Sequence, residues 1–329
     1  MRPAALISIL LLIGCAPSEP VVIHGSTMGT TYNVKIVGNV DADSMRQQID
    51  VRLQRINDLM STYLGNSELS QFNKTAPGEV VKLSDETVQV LLMARKIFEM
   101  SGGKFDVTVG PLVNLWGFGP ELGDQIVPGK EEIKAAMSQV GMKRLKLENG
   151  TVVKTAETYV DLSAIAKGFG VDEIASLLES KGFENYLVEI GGELRASGLN
   201  DRRKPWKIAV ERPDVFQRVP YKTIDLVDMG MATSGDYRNY FEVDGKRYSH
   251  TIDPTTGYPI THNVASVTVL AKETAMADGL STAINVMGAE SGLALAEDYN
   301  LAVLVIVKTE DGFSEKYSPA FERYLGIDE

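Results

Sequence analysis

Two tight-turn dipeptides constrain the fold of this chain more than any other feature of its sequence. Asn149-Gly150 and Asp244-Gly245 each separate two short runs rich in residues that favour strands. Both dipeptides are preferred in two-residue hairpin turns, whose central residues adopt positive φ. Hairpins pair antiparallel strands. We therefore predict the α+β class, as a single mixed domain with a largely antiparallel sheet packed by helices, and not a doubly wound parallel sheet.

Hydrophobic periodicity places further elements along the chain. Helices are predicted over Asp43 to Met60, Asp85 to Met100 with Ser84 as N-cap, Lys130 to Val140, Ser163 to Lys181, Thr274 to Met287 with Thr274 near the N-cap, and Ser291 to Asp298. Strands are predicted over Thr30 to Val37, Leu145 to Leu147, Val152 to Lys154, Tyr186 to Ile190, Leu194 to Gly198, Trp206 to Glu211, Thr223 to Val227, Tyr240 to Val243, Arg247 to Thr251, Ala265 to Ala271 and Leu301 to Val307.

The first residues have the pattern of a bacterial lipoprotein signal. A basic lead precedes an apolar run from Ala4 to Ile13, which is too short to span a bilayer, and Leu12-Ile13-Gly14-Cys15 reads as a lipobox. Cys15 is the only cysteine, so we expect it to carry a lipid and no disulfide to form. The sequence thus predicts a signal peptide over residues 1–14, a lipidated tether over 15–24, and a lipid-anchored protein of the bacterial cell envelope that faces the periplasm.

Charge and missing motifs exclude several classes of function. The net charge of −11 argues against nucleic acid as a partner. The chain contains no Walker A loop, no dinucleotide-binding Gly-x-Gly-x-x-Gly after a strand, no Cys-x-x-Cys and no His-Glu-x-x-His. P-loop, Rossmann and zinc-protease functions therefore lose their main support.

Two segments suggest phosphate chemistry. Asp278 and Thr282 lie four residues apart in a predicted helix, so a carboxylate and a hydroxyl share one face. Mg²⁺ prefers such oxygens together with those of water or phosphate, although a solvated helix face has the same pattern. In Asp161 to Gly168, a strand turns into a helix whose first amides and Lys167 could hold a phosphate, unless Asp161 merely caps the helix.

A third segment, Ser249 to Pro259, offers acid–base chemistry. His250 follows a strand and can carry a proton near neutral pH. Asp253 is close enough in sequence to orient it or to help at a metal, although a single His beside an Asp is also common in ordinary turns.

Seven segments together resemble the ApbE family. They occur in that family's order from about Gly25 to the C-terminal strands, so residues 25–329 resemble one ApbE domain, with a fold like that of the T-fold proteins. The segments are Ser26-Thr27-Met28-Gly29-Thr30, Ser61-Thr62-Tyr63 with Ser67-Glu68, Phe105 to Pro111, Asp161 to Asp172, Glu189-Ile190-Gly191-Gly192-Glu193, Ser249 to Gly257 and Ala277 to Thr282.

The resemblance implies roles for individual residues. Flavin-nucleotide contacts are implied for Met28, Tyr63, Lys104, Phe105, Asp106, Asp161, Lys167 and Ile252. Metal ligands are implied for Asp278, Thr282, Ser281 and, through an oxygen, Ala164. Two positions depart from the family pattern: some members carry a carboxylate where this chain has Ser281, and a small residue is common in place of Lys104.

The resemblance also implies an activity, that of a FAD:protein FMN transferase. Such an enzyme uses Mg²⁺ and FAD to attach FMN to a Thr or Ser hydroxyl of an acceptor protein, and AMP leaves; we expect His250 to act as base with Asp253 as helper. The expected acceptors are extracytoplasmic proteins with a short flavinylation motif, such as subunits of membrane redox pumps. Two alternatives fit the same residues: a Mg²⁺-dependent FAD pyrophosphatase, and a flavin-binding lipoprotein without turnover.

Overall fold

A computed structural model describes residues 19–120, 126–148, 150–213, 220–235 and 239–325. The predicted signal peptide, Cys15 and Asn149 lie outside the described residues. Within them, no helix is both long and apolar enough to cross a membrane.

Helices and strands are interleaved along the chain. The strands are β1 (Val21–Thr27), β2 (Thr30–Ile36), β3 (Val80–Lys82), β4 (Leu145–Glu148), β5 (Thr151–Lys154), β6 (Tyr186–Ile190), β7 (Glu193–Ser197), β8 (Trp206–Glu211), β9 (Pro220–Leu226), β10 (Met229–Gly235), β11 (Tyr240–Val243), β12 (Lys246–Ser249), β13 (Val264–Ala271), β14 (Ala302–Thr309) and β15 (Gly312–Tyr317). The helices are α1 (Ala42–Met60), α2 (Glu68–Asn73), α3 (Asp85–Met100), α4 (Gly110–Leu115), α5 (Lys130–Met137), α6 (Ala166–Ser180), α7 (Thr274–Met287) and α8 (Ala289–Asp298), with 3-10 turns at Met142–Arg144 and Pro319–Tyr324.

The main sheet confirms the predicted antiparallel class. Among the described residues it has eight strands in the order β1-β2-β6-β7-β10-β13-β14-β15, and each neighbouring pair is antiparallel. The predicted Asp244-Gly245 turn joins β11 to β12, and both of its residues have positive φ, 52° and 73°. The hairpin predicted at Asp244-Gly245 is therefore confirmed.

The centre of this sheet is covered on both faces. Along β14, Val303 and Val305 pack into the core beneath the helices, whereas Leu304 and Ile306 pack against the β8–β9 ribbon. Side chains alternate between the faces of a strand, so a strand buried on both sides is apolar at nearly every position. This arrangement fixes the positions of strand β10 and of helix α7, which packs on it.

Helix α6 holds helix α7 at two places. A Cβ atom on Gly168 would lie 2.5 Å from the backbone oxygen of Thr274, so only glycine allows this approach. The Gly168 N–H donates to Oδ2 of Asp278 at 3.0 Å. Asp172 accepts hydrogen bonds from the backbone N–H groups of Thr274 and Ala275, both at 2.9 Å, and so caps the start of α7.

Several element boundaries differ from the predictions. Helix α6 begins at Ala166 and not at Ser163, because Oδ1 of Asp161 accepts a hydrogen bond from the backbone of Ser163 in a turn before the helix. Asp161 is therefore not its cap. The N-cap of α7 is Glu273, and Thr274 is its first residue.

Some elements were not predicted at all. Residues 21–24 were predicted to belong to the tether but form part of strand β1. This strand pairs along its length with β2. The unpredicted elements are short or polar, or contain glycine, and so carry little hydrophobic periodicity: β1, β3, β10, β15, α2 and α4.

Candidate active site

A cavity of about 370 Å³ brings together most of the residues that the sequence singled out. Its volume is in the range of small-molecule sites. The predicted site residues that line this cavity are Tyr63, Lys104, Phe105, Asp106, Asp161, Ala164, Lys167, His250, Ile252, Asp278 and Thr282. The lining residues that were not predicted as site residues are Val107, Val109, Val113, Phe118, Ser163, Glu193, Thr233, Ser234, Gly235, Asn239, Thr251, Pro254 and Val286.

The ammonium group of Lys167 lies between two buried carboxylates in this cavity. Its Nζ is 3.3 Å from Oε1 of Glu193 and 3.9 Å from Oδ1 of Asp278. Glu193 and Asp278 are only 4% and 3% exposed, and Oε2 of Glu193 has no hydrogen-bond partner among the described residues. The cluster thus places two carboxylates against one ammonium group.

Burial and mutual charge shift the protonation of all three groups. Burial raises the pKa of Glu193 to about 8, and the nearby Asp278 adds to the increase, although Lys167 opposes it. Burial likewise raises the pKa of Asp278. For Lys167, burial favours the neutral amine, but Asp278 and Glu193 outweigh it and raise its pKa. The ammonium group therefore stays charged, and a cation bound beside the two carboxyl groups would favour their ionised forms.

Hydroxyl groups extend from this cluster along α7. Thr282 lines the cavity, and its Oγ1 lies 3.0 Å from Oγ of Ser234 on β10. Ser281 is fully buried and does not line the cavity; its Oγ lies 2.9 Å from Oγ of Ser234 and donates to the backbone oxygen of Asp278 at 2.8 Å. Asp278 and Thr282 therefore face the cavity, while Ser281 lies beneath it.

The oxygens predicted as metal ligands come from different chemical groups. No cluster of three His, Cys, Asp or Glu side chains suited to a metal occurs in the described part of the chain. The residues predicted as ligands contribute one carboxylate, from Asp278, with hydroxyl oxygens and an oxygen of Ala164. Ala164 and Asp278 both line the cavity.

A second pair of residues, Tyr63 and Asp161, lines the cavity from outside the buried cluster. Tyr63 is 68% exposed, and partial burial together with the charge of Asp161 raises the pKa of its hydroxyl. Oδ1 of Asp161 accepts a hydrogen bond from the backbone N–H of Ser163 at 2.8 Å. An exposed aromatic ring and an acceptor thus lie together where a nucleotide could reach them.

Lys104 and Asp253 join two loops beside the cavity. Nζ of Lys104 donates to Oδ2 of Asp253 at 2.7 Å and to Oγ1 of Thr255 at 2.8 Å. Burial would raise the pKa of Asp253, but the hydrogen bonds from Lys104 and Thr255 outweigh it and hold that pKa below its usual value. Asp253 therefore remains an ionised partner of Lys104.

Asp106 fastens the loop that carries Phe105. Its carboxylate accepts hydrogen bonds from the backbone and hydroxyl of Thr108 and from the backbone N–H of Met142, all within 2.9 Å. Burial raises the pKa of Asp106, although these donors favour its ionised form. Phe105 is 3% exposed and lies against Gly279 of α7, so the loop packs directly on that helix.

His250 is hydrogen-bonded to a backbone carbonyl. Asp253 was expected to orient His250 or to help at a metal, and in the structure the carboxylate of Asp253 accepts hydrogen bonds from Lys104 and Thr255. Nδ1 of His250 lies 3.0 Å from the backbone oxygen of Asn239, and its ring meets that of Phe118 edge-on at 6.3 Å. If Nδ1 carries the hydrogen for that carbonyl, Nε2 keeps its lone pair and can accept a proton.

Among the residues that the structure describes, three predicted site residues do not line the cavity: Met28, Asp253 and Ser281. Met28 has a φ of 50° in the turn between β1 and β2, and its side chain lies close to Gly170 of α6. The most important residue missed is Glu193. It lies in one of the recognised motifs, but no spacing rule connects it to Lys167 or Asp278, since the contact forms across separate elements.

Comparison with known proteins places the chain among flavin transferases. A sequence model of the ApbE family matches residues 28–305. A FAD:protein FMN transferase of Vibrio cholerae is 52% identical over 98% of each chain, and one of Haemophilus influenzae is 46% identical over 95% of this chain and 94% of the relative. The solved flavin transferase ApbE from Vibrio cholerae matches with a TM-score of 0.87 at 50% identity, covering 93% of this chain and 99% of its own. The ApbE protein from Thermotoga maritima matches with a TM-score of 0.84 at 31% identity, covering 93% and 99%.

Proposed function

The chain belongs to the ApbE family, and we propose that it is a Mg²⁺-dependent FAD:protein FMN transferase. It esterifies the FMN part of FAD to a Thr or Ser hydroxyl of an acceptor protein and releases AMP. The observation that carries this proposal is that one cavity holds Lys167, two buried carboxylates and His250. Phosphoryl transfer needs this combination of charge neutralisation and a base.

The residues around Asp278 fit a bound Mg²⁺ ion. Burial raises the pKa values of Glu193 and Asp278, and a cation bound beside Asp278 would favour the ionised form of both, while Oε2 of Glu193 has no donor among the described residues. Asp278, Thr282 and an oxygen of Ala164 would hold the ion, since Mg²⁺ prefers oxygen ligands. The bound ion would draw negative charge from the diphosphate oxygens of FAD.

The chain's own residues supply the other requirements of the reaction. His250 takes the proton of the acceptor hydroxyl, whose oxygen then forms a bond to the FMN phosphorus. The bond from that phosphorus to the bridging oxygen breaks, and AMP leaves with the electron pair. Lys167 neutralises part of the diphosphate charge throughout, which lowers the repulsion that the incoming oxygen meets.

Aromatic and polar residues of the cavity hold the nucleotide. Tyr63 offers an exposed ring for stacking, and Asp161 offers an acceptor for nucleotide hydroxyl or amino groups. Lys104, Phe105, Asp106 and Ile252 line the same space.

Lipidation of Cys15 tethers the enzyme to a membrane of the cell envelope, facing the periplasm. This proposal rests on the lipobox Leu12 to Cys15. The tether holds the enzyme near membrane-bound acceptors, which raises their effective concentration. Extracytoplasmic subunits of redox pumps that carry a Thr or Ser flavinylation motif are the expected class of acceptor.

The proposal is tested by incubating purified protein with FAD, Mg²⁺ and an extracytoplasmic acceptor domain that carries such a motif. We expect a denaturation-resistant fluorescent acceptor band and an equal amount of AMP. Replacing Mg²⁺ by EDTA, or Asp278→Asn, should abolish both. FMN and AMP formed at the same rate without any labelled acceptor would identify a hydrolase, and intact FAD after long incubation would identify a binding protein; either result would overturn the transferase.

A further inference from the structure

We propose that Ser234 and Ser281 are positioning residues that turn the hydroxyl hydrogen of Thr282 away from the cavity. The oxygen of Thr282 then presents its lone pairs to a bound cation. The inference rests on the proposed function, because it takes Thr282 as a ligand of Mg²⁺. Neither serine needs to touch the ion.

The argument starts from the fully buried Ser281. Its Oγ lies 2.8 Å from the backbone oxygen of Asp278. A carbonyl oxygen carries no hydrogen, so Ser281 must be the donor in this contact. A hydroxyl has only one hydrogen, and that of Ser281 is therefore committed.

The directions of the next two hydrogen bonds follow from this first one. Oγ of Ser234 lies 2.9 Å from Oγ of Ser281, and since Ser281 has no second hydrogen, Ser234 donates to it. Oγ1 of Thr282 lies 3.0 Å from Oγ of Ser234, whose own hydrogen is now used, so Thr282 donates to Ser234. The chain of donors runs from Thr282 through Ser234 and Ser281 to the carbonyl of Asp278.

This series of hydrogen bonds orients the hydroxyl of Thr282 for binding a cation. A hydroxyl binds a cation through its lone pairs and repels it through its hydrogen, so a hydrogen fixed elsewhere avoids a reorientation when the ion binds. Thr282 lines the cavity beside Asp278, whereas Ser281 does not. Ser281, predicted as a ligand from the family resemblance, thus acts through Ser234 and Thr282 instead.

Calorimetric titration of Mg²⁺ into the purified, nucleotide-free protein tests the inference without any turnover. We expect Ser234→Ala to weaken Mg²⁺ binding roughly 10-fold, as is usual for residues that orient a ligand. Ser234→Thr and Thr282→Ser keep the hydroxyls and should retain nearly the original affinity. Thermal unfolding without metal checks that each variant is folded.

Ser266→Ala is the matched control. Ser266 is a buried serine of β13, the strand beside β10, and its Oγ has no partner among the described residues. It pairs with Gly235, the neighbour of Ser234, and so faces the other side of the sheet. Its replacement should leave Mg²⁺ affinity unchanged. Equal affinities of Ser234→Ala and Ser266→Ala would overturn the inference.

The double variant distinguishes positioning from direct coordination. Ser281→Ala should weaken binding, because the hydrogen of Ser234 then turns toward Thr282. Adding Ser281→Ala to Ser234→Ala should cause no further loss of Mg²⁺ affinity, since the series of hydrogen bonds is already broken. If the losses of Mg²⁺ affinity caused by the two substitutions multiply in the double variant, Ser281 is a ligand of the ion. That result would overturn the inference but not the proposed function. A native chain that binds no Mg²⁺ would overturn the metal site of the proposed function, and the inference with it.

Discussion

His250 and Lys167 lie in the same cavity but are held in different ways. His250 is oriented by a backbone carbonyl and an aromatic ring, those of Asn239 and Phe118. Lys167 is held by the charges of Glu193 and Asp278. The first arrangement favours proton transfer, and the second keeps the ammonium group of Lys167 charged in the cavity, so the two residues suit different parts of one reaction.

Replacing His250 by Ala should lower the rate of FMN transfer by roughly 10²- to 10⁴-fold, the usual contribution of a general base. FAD affinity, measured by quenching of flavin fluorescence, should change little because the ring is not needed to hold the nucleotide. His24→Ala, an exposed histidine on β1, is the control. Full transfer activity of His250→Ala would remove this residue from the mechanism.

Sequence motifs identified fewer than half of the residues that line the cavity, and not all of their contacts. Lys167, Asp278 and Thr282 are recognisable because each lies in a compact motif. Glu193 was missed as a member of the site, since its approach to Lys167 depends on how α6 packs on the sheet. The pairing of Lys104 with Asp253 spans 149 residues of chain, and no local pattern encodes it.

At the scale of elements, the cavity depends on how closely α6 approaches α7. The two helices meet at Gly168, whose N–H also holds the carboxylate of Asp278. The sequence predicted both ends of α7 to within a residue. It could not predict this contact, because periodicity identifies the buried face of a helix but not the helix against which it packs.

Replacing Gly168 by Ala should therefore separate the two helices. The added Cβ would meet backbone atoms of Thr274, which cannot move aside as a side chain can. We expect the free energy of unfolding to fall by roughly 1–3 kcal/mol, the usual cost of overpacking, with weaker Mg²⁺ binding. Urea denaturation measures the first and calorimetry the second.

Gly65→Ala is the control for this substitution, since a Cβ at Gly65 would have no neighbour within 4 Å and its φ is not in the left-handed region. If both alanine variants are equally stable, close packing at Gly168 does not hold α7 in place.

Strand β5 is joined to α2 through a buried lysine. Lys154 is fully buried, and its Nζ donates to the backbone oxygen of Asn73 at 2.9 Å. Burial lowers the pKa of Lys154 from its ordinary value of 10.5, although Glu157 and Glu79 oppose the change. In the folded protein this group therefore loses its proton at a lower pH than in the unfolded chain.

This difference predicts the sign of a pH effect. Between the lowered pKa and 10.5 the unfolded chain binds more protons at this site, so its contribution to stability rises with pH. Lys154→Met should remove that rise, while Lys146→Met at an exposed position of β4 should retain it. Chemical denaturation at a series of alkaline pH values measures the difference. If the free energy of unfolding changes with pH in the same way for Lys154→Met and for the unaltered protein, Lys154 is not the source of the effect.

At the scale of the whole molecule, the antiparallel class was predictable because turns and strands carry local signals. The order of strands in the sheet was not, since β6 pairs with β2 and β10 with β13 across long separations. The proposed tether also concerns the whole molecule, and the proposal rests on the sequence around Cys15 alone.

When residues 1–14 are exchanged for a signal peptide that is cleaved without lipidation, replacing Cys15 by Ala should release the protein from the membrane fraction, because a lipidated chain is retained by its acyl groups. FMN transfer to a soluble acceptor should be unchanged, since the residues that line the cavity begin at Tyr63. Fractionation followed by immunoblotting measures the first and the fluorescence assay the second. Retention of the Cys15→Ala protein in membranes would contradict lipid anchoring through this residue.

The hydrogen bond from Gly168 to Asp278 has a consequence for biosynthesis. It joins positions 110 residues apart, so the loop between them must be synthesised and closed before the bond can form. A nascent chain that ends before α7 has Lys167 but lacks both Asp278 and Thr282. On the proposed mechanism, which needs Asp278 and Thr282, FAD is consumed only after nearly all of the polypeptide has emerged and folded.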